Sequence, residues 1–235
     1  MGNKNSSSAG KEVEPKLKKS QLMIIAVEYI YDGDLEGFKS LEKKLDSDII
    51  LSKDGFGRSP LHIVSMYGYL AFVEYIIERL KDRPQKIEEI INEKDVQGDT
   101  PLSLLCTFGT ALNNVNENRE IRKQFLENRI KVLELLISKG AQLDCNPKEG
   151  KNTLLHWAIF HADRKLAEMI FHECPFAALK QNRDGLVPFE IAFQNQYSHK
   201  YIKEEALRIV CDLCTKYIEQ MSDKESLKLL KATTI

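Results

Sequence analysis

Cys211 and Cys214 form a Cys-x-x-Cys pair, the spacing found in zinc sites and in dithiol redox centres. The pair lies within the segment ALRIVCDLCTKYI, whose apolar residues recur at helical spacing, and no second cysteine pair follows it along the chain. We therefore interpret the two cysteines as small residues on the buried face of a helix. The sequence predicts no metal site here.

The remaining residues whose side chains could take part in catalysis also show no catalytic pattern. Glu88, Glu89 and Asp163 are predicted to lie on solvated helix faces and show no pairing. No glycine-rich phosphate loop followed by Gly-Lys-Ser/Thr occurs in the sequence. The five histidines are scattered, at His62, His156, His161, His172 and His199. We expect a chain that is not an enzyme and that needs no cofactor.

Composition limits the class of protein. The chain has 235 residues, of which 43% are hydrophobic and 29% charged, as in an ordinary globular domain. Its 34 basic and 35 acidic residues give a net charge of −1, which argues against a nucleic-acid-binding protein. The odd number of cysteines and the absence of an apolar stretch in the first twenty residues favour a reduced, cytoplasmic setting. We expect a monomer.

Residues 1–19 are predicted to form a disordered tail with two membrane-directed features. Gly2 follows the initiator methionine, and Ser6 stands at the fifth place of the mature chain, as in an N-myristoylation signal. Short Gly-Ser starts also arise by chance. Five lysines against two glutamates give the tail a net charge of +3. One acyl chain binds a bilayer only marginally, so acylation with this charge predicts reversible attachment to an anionic, cytoplasmic membrane face.

A repeated pattern begins after the tail. Four segments share a turn-forming stretch followed by the start of an apolar helix: DGFGRSPLHIV (54–64), DVQGDTPLSLL (95–105), KEGKNTLLHWA (148–158) and NRDGLVPFEIA (182–192). Proline at the first helical position, Ser or Thr before it, and glycine in the turn are each favoured for a physical reason. The equivalent positions Ser59, Thr100, Thr153 and Val187 are spaced by 41, 53 and 34 residues.

These segments resemble ankyrin repeats over residues 20–221. The family period is about 33 residues, so the two longer spacings must contain insertions, which we place near 81–89 and 110–129. The third segment lacks the proline, and the fourth has Val187 for Thr and Glu190 for His. The resemblance implies an all-α ankyrin-repeat solenoid of helix-turn-helix units with short hairpin loops.

The predicted domain boundaries follow from the repeats. The tail is followed by one ankyrin repeat domain at 20–235. It is divided into a cap (20–52), repeats at about 53–94, 95–145, 146–181 and 182–221, and a closing helix at about 222–231. In the second repeat, the segment REIRKQFLENR is predicted to be helical and to precede a separate outer helix at 132–141.

The resemblance also implies roles for particular residues. His62 and His156 would tie the hairpin backbone rather than act in catalysis. A protein partner would bind the concave groove formed by the hairpin tips and first helices, which by alignment contains Phe56, Arg58, Met66, Tyr67, Phe108, Asn152, Phe160, His161 and Arg183. The four aromatic residues among them would form one apolar stripe. The alternatives are that the 110–129 insertion covers them, or that the alignment is wrong by one residue.

Three functions remain open. The first is a non-catalytic interaction adaptor, reversibly tethered to a cytoplasmic membrane face through Gly2. The second is a soluble regulator or inhibitor with an unmodified tail, and the third is a regulatory subunit of a catalytic complex.

Overall fold

The computed structural model describes residues 19–45, 49–108, 119–143, 152–161, 163–194 and 200–220. Within these ranges the chain is helical and contains no strand. The helices are α1 (Lys19–Tyr31), α2 (Leu35–Leu45), α3 (Pro60–Met66), α4 (Leu70–Arg79), α5 (Pro84–Ile91), α6 (Pro101–Phe108), α7 (Arg119–Ser138), α8 (Leu154–Phe160), α9 (Arg164–Glu173), α10 (Pro188–Gln194) and α11 (Lys200–Gln220). Short 3₁₀ turns occur at Ile49–Leu51 and Pro175–Leu179. Among the described residues, no helix is both long and apolar enough to cross a bilayer.

The helices form two layers. Each unit pairs an inner helix with an outer one: α1 with α2, α3 with α4, α6 with α7, α8 with α9, and α10 with α11. Inner helices pack on the inner helices of neighbouring units, as α3 does on α1 and α6, and outer helices do likewise, as α9 does on α11. The apolar core is continuous from Leu22 to Leu213. The all-α ankyrin-repeat fold is confirmed.

Each repeat fixes the start of its inner helix in the same way. The backbone N–H of Thr153 donates to Nδ1 of His156 at 3.0 Å, and the N–H of Thr100 donates to the Ser103 hydroxyl at 2.9 Å. In the fourth repeat, the N–H of Val187 donates to the Glu190 carboxylate at 2.8 Å. Glu190 therefore accepts the same backbone N–H that His62 and His156 accept in the first and third repeats.

The hairpins before the inner helices contain the same type of turn. Asp54 accepts hydrogen bonds from the N–H groups of Phe56 and Arg58 through Oδ1, both at 2.8 Å. Asp95 and Asn182 each accept two N–H groups in the same pattern. Gly57 has a φ of 75°, a conformation open to glycine at little cost, and this confirms the expected turn.

Both insertions add helical structure. The first contains α5, which begins at Pro84 and buries Ile87, Ile90 and Ile91 against the core. Asn92, at the end of α5, donates to the carbonyl of Gly140 and accepts from the N–H of Gln142. In the second insertion, REIRKQFLENR is helical as predicted, but it is continuous with the outer helix and forms the 20-residue α7.

A series of aromatic rings, here called the aromatic chain, crosses from the inner to the outer layer between the cap and the first repeat. Successive ring centroids lie 5.5 to 6.3 Å apart along Tyr31, Tyr67, Tyr69, Phe72, Phe38 and Tyr75. At the outer end, the Tyr75 hydroxyl donates to Glu42, which also binds Arg79 at 2.9 Å. Burial, followed by the hydrogen bond to Glu42, raises the pKa of Tyr75 to about 12.

Two sequence-based interpretations were wrong in detail. Cys211 is exposed and Cys214 is only partly buried, because Ala206, Ile209 and Leu213 form the buried face of α11. Asp163 and Glu89 were predicted to show no pairing, but Asp163 forms an ion pair with Arg129 and Glu89 forms one with Lys86. The closing helix predicted at 222–231 and the tail at 1–18 lie outside the described residues.

Candidate partner-binding surface

In the hairpin of the first repeat, an exposed aromatic ring lies beside an arginine whose position is fixed by an ion pair. Phe56 is 59% exposed, and the Arg58 guanidinium lies 5.3 Å from the centre of its ring. Arg58 Nε donates to Oδ2 of Asp95 at 3.1 Å, and the Asp95 side chain is fully buried. Arg58 is thus fixed between the two hairpins with its guanidinium next to an exposed aromatic face.

Tyr67 caps the C-terminal end of α3 and contacts the unit before it. Its ring meets that of Tyr31 edge-on at 5.5 Å and stacks on Tyr69 at 5.6 Å. Burial raises the pKa of Tyr67, as does a hydrogen bond with Tyr31, while the charge of Arg58 lowers it. Tyr31 itself is 54% exposed. The half-buried ring of Tyr67 therefore packs against the more exposed ring of Tyr31 and supports it.

The tip of the second hairpin completes the same surface. The N–H of Val96 donates to the carbonyl of Phe56 at 3.0 Å, and the Val96 side chain is 54% exposed. A Cβ added to Gly57 would meet Val96 Cγ1 at 3.4 Å, so the two hairpins are in contact. We call the group Tyr31, Phe56, Arg58, Tyr67 and Val96 the N-terminal aromatic surface. Met66, also predicted, precedes Tyr67 at the end of α3 and is partly buried.

A second predicted group lies at the end of α8. Phe160 and His161 are both partly buried, because each packs against Trp157 with ring centroids 5.8 Å apart. Nε2 of His161 is buried without a hydrogen-bond partner. Burial, and then the charge of Arg129, lowers the pKa of His161 to about 4. These side chains form a packed aromatic cluster and expose less surface than Phe56.

The remaining predicted residues are separate from both groups. Asn152 Oδ1 accepts a hydrogen bond from Asn182 Nδ2 at 2.8 Å, which joins two neighbouring hairpins, and Arg183 is exposed in the last of them. Phe108 is the last residue of α6, and its side chain lies outside the described residues. A continuous stripe from Phe56 to Phe160 stays a prediction. Among the described residues, the exposed aromatic surface that the structure brings together is the N-terminal one.

Tyr31 is absent from the residues that the sequence predicted. The cap has no hairpin signature to align, so no partner-facing position was assigned there. One signal could have located it: matching Gly33 with Gly68 places Tyr31 at the position of Met66. Both glycines adopt a positive φ, 69° and 66°, in the turn between the paired helices.

The described residues contain no group of three metal-binding side chains. His62 and His156 bind the next hairpin through Nε2, to the Glu93 carbonyl at 3.1 Å and the Leu186 carbonyl at 2.9 Å. Burial lowers the pKa of both histidines, which favours the neutral ring that can accept at Nδ1 while donating at Nε2. Their predicted role in tying the hairpin backbone is confirmed.

Comparison with known proteins agrees with the repeat architecture. A family description, ankyrin repeats in many copies, matches residues 121–171. Among curated proteins, the chain is 24% identical over 190 residues to the NAD-dependent deacetylase sir2B of Dictyostelium discoideum. That match covers 73% of this chain and 21% of the deacetylase, so the chain spans about a fifth of its relative's length. Ankyrin repeat domains are typically non-catalytic, and their presence indicates a role in protein–protein interaction.

Proposed function

We propose that this chain is a non-catalytic adaptor that holds a protein partner on its N-terminal aromatic surface. The observation that carries the proposal is the exposure of Tyr31, Phe56 and Val96 around Arg58 on neighbouring units. Aromatic residues and arginine dominate the energetics of protein interfaces, and exposed apolar residues grouped in one place mark such interfaces. The surface continues across the cap and the first two hairpins, which suits an extended partner segment.

The surface is also rigid before any partner binds. Asp54 and Gly57 fix the backbone on either side of Phe56, and Asp95 holds Arg58. Side chains that are already ordered lose less conformational entropy on association, so more of the contact energy appears as affinity. This supports Phe56 and Arg58 as the centre of the interface.

We further propose that the N-terminal segment tethers the adaptor to the cytoplasmic face of a membrane. The support is the sequence alone: Gly2 in an acylation pattern and a tail of net charge +3. A single myristoyl chain gives reversible attachment, and nearby lysines strengthen it on anionic lipid. The adaptor would act as a monomer that brings its partner to the membrane.

A second candidate is a regulatory or inhibitory subunit of a catalytic complex, with the tail unmodified. The observation that favours it is the match to part of an enzyme, the deacetylase sir2B, over a fifth of that protein's length. On this proposal the N-terminal aromatic surface binds a separate catalytic chain instead of a partner that is recruited to a membrane.

The test is affinity capture from native lysate with the full chain and two variants. Phe56→Ala combined with Tyr67→Ala removes two of the three aromatic rings of the surface, and Phe193→Ala removes a ring on α10 whose exposure, 62%, is similar to that of Phe56. Circular dichroism establishes that both variants fold. We expect specific proteins to be lost from the first variant and retained by the second. If all three capture the same set, the partner binds elsewhere.

The tether is tested separately by membrane partition of the wild type and Gly2→Ala. We expect the wild type to sediment with membranes and the variant to stay in the supernatant. Equal partition would exclude an acyl tether, and a captured enzyme whose activity falls on adding the chain would then favour the regulatory subunit.

A further inference from the structure

The charged residues in and around the N-terminal aromatic surface are mostly acidic. They lie at the end of α1 and in the turn after it (28–34), and in the first two hairpins (53–58 and 93–99). These segments contain three basic and seven acidic residues, a net charge of −4, whereas the whole chain carries −1. The acidic residues are Glu28, Asp32, Asp34, Asp54, Glu93, Asp95 and Asp99, and the basic ones are Lys53, Arg58 and Lys94. Such a surface favours a partner of the opposite charge.

Two of the three cations already have a counter-charge within the domain. Arg58 Nε donates to Asp95 Oδ2 at 3.1 Å, and the Asp95 side chain is fully buried, so this carboxylate stays beside the guanidinium when a partner binds. Lys53 Nζ lies 2.7 Å from a carboxylate oxygen of Glu93. A partner carboxylate that reached Arg58 would be repelled by Asp95 as well as attracted by the guanidinium. Arg58 therefore offers an acidic partner little net attraction.

The carboxylates at the cap end of the surface have no such counter-charge. Glu28 and Asp32 are exposed, and neither forms an ion pair with any residue that the structure describes. The N–H of Asp32 donates to the Glu28 carbonyl, so helical spacing continues past Tyr31 and makes the three side chains neighbours. Burial, and then the negative charge of Asp32, raises the pKa of Tyr69, which stacks on Tyr67. Unpaired negative charge thus lies beside aromatic rings.

We propose that the partner of the N-terminal aromatic surface is a basic, apolar protein segment whose lysine or arginine binds on Tyr31 beside Asp32. The face of a tyrosine ring attracts a cation, and a neighbouring carboxylate adds to that attraction. The aliphatic part of lysine or arginine covers apolar surface while its charged end reaches the carboxylate. Apolar residues of the same segment contact Phe56 and Val96, which are both more than half exposed. The inference rests on the proposed function and adds the charge of the partner.

Selection from a phage-displayed library of random peptides tests the charge. The library is passed over the full chain and, in parallel, over the folded variant Phe56→Ala with Tyr67→Ala. Peptides that bind the wild type and not this variant need the aromatic surface. Sequencing before and after selection should show that these peptides are enriched in lysine and arginine next to apolar residues.

Two charge variants then locate the cation, by titration calorimetry with a synthetic copy of the most enriched peptide. Glu28→Gln with Asp32→Asn removes the carboxylates next to Tyr31. Glu74→Gln with Glu88→Gln removes the same charge from exposed positions on α4 and α5. We expect the Kd to rise about fivefold in the first variant, the combined effect of two exposed ion pairs, and to stay unchanged in the second.

The outcomes separate this inference from the proposed function. Surface-dependent peptides enriched in acidic residues, or in neither charge, would overturn the inference and leave the proposed function in place. The same holds if the Kd rises equally in both charge variants or in neither, because the carboxylates beside Tyr31 would then have no particular role. If no peptide distinguishes the wild type from the Phe56/Tyr67 variant, the proposed function fails at this surface, and the inference fails with it.

Discussion

At the scale of single residues, Arg129 brings a charge into the interior of the second repeat. Its side chain is 4% exposed, and it donates to the carbonyls of Leu105 and Cys106, both at 3.1 Å, as well as to the Asp163 carboxylate. Asp163 also accepts the N–H of Leu166 and so caps α9. One ion pair therefore joins the end of α6, the middle of α7 and the start of α9.

Replacing Asp163 by serine should be strongly destabilising. Serine can still cap α9, but Arg129 is left buried without a counter-charge, and we expect the free energy of unfolding to fall by about 3 kcal/mol. Urea denaturation measures the change. Lys131→Ala, at an exposed position on the same helix, should cost no more than about 0.5 kcal/mol. A similar loss in both variants would mean that the pair contributes little.

His161 should make the domain sensitive to acid. Its folded pKa of about 4 lies below the ordinary value of 6.5, so between these values the unfolded chain binds a proton that the folded chain does not. The free energy of unfolding should therefore fall as the pH is lowered from 6.5 toward 4, by up to about 1.4 kcal/mol per pH unit for this group.

His161→Phe keeps a ring stacked on Trp157 and removes the titrating group together with the unpaired Nε2. Denaturation of both proteins across this pH range should show a shallower fall for the variant and a higher stability at neutral pH. Parallel curves would show that His161 does not titrate differently in the folded state.

The sequence predicted residue roles where the resemblance to ankyrin repeats supplied them. The resemblance implied that His62 and His156 tie the hairpin backbone, and each binds a carbonyl of the next hairpin. Asp163 was misjudged because its partner Arg129 lies in a unit whose length an insertion had changed, and no repeat pattern relates the two residues. Phe160 and His161 were expected to face solvent, yet they pack against Trp157 within the same helix and turn.

At the scale of elements, the hairpins depend on one acceptor side chain each. Asp95 combines this task with the ion pair to Arg58. Asp95→Asn retains the oxygen that accepts the N–H groups of Gln97 and Asp99 but loses the charge, whereas Asp95→Ala loses both.

We expect Asp95→Ala to lower the free energy of unfolding by about 2 kcal/mol or more, and Asp95→Asn by about half as much. Thermal and urea denaturation would measure the difference. Equal losses would assign the whole effect to the Arg58 pair and none to the turn.

The helices of the insertions show what alignment to a repeat cannot supply. Residues 119–138 contain neither proline nor glycine, so nothing interrupts a helix across the boundary that the repeat pattern suggested. The repeat alignment placed a boundary inside α7 because it considered only the spacing of residues relative to the repeat and took no account of local helix propensity. Pro84 at the first position of α5 was likewise a local start signal inside a segment interpreted as a link.

At the scale of the whole molecule, a stack of units should lose stability locally. Each unit of a solenoid contacts only its neighbours, so damage at one end need not reach the other. Phe38 is fully buried in the aromatic chain between α2 and α4. Phe38→Ala should cost about 3 kcal/mol or more.

Native-state hydrogen exchange should locate that loss. Amides of α1 and α2 should exchange faster in Phe38→Ala, while those of α8 and α9 keep their protection. Ser40→Ala, at an exposed position two residues away, is the control and should leave both regions unchanged. Faster exchange throughout the domain would show that the stack unfolds as a single unit.

The sequence predicted the architecture because the same local signals recur from repeat to repeat. It did not predict the aromatic chain, because the rings of Phe38 and Phe72 come from different units and meet only after the cap has packed on the first repeat. The exposed surface around Phe56 was located in part, since its hairpin residues follow the repeat pattern, whereas Tyr31 belongs to a unit without it.

The distribution of rings that builds the aromatic chain also gives the protein its own optical labels. Five of the eight tyrosines lie in the cap and first repeat, at Tyr29, Tyr31, Tyr67, Tyr69 and Tyr75, while the only tryptophan, Trp157, lies in the third repeat. Light absorbed by indole alone reports on α8 and its neighbours, and tyrosine absorbance reports mainly on the other end. The unmodified chain can therefore be observed at two separate places in the stack during a single experiment.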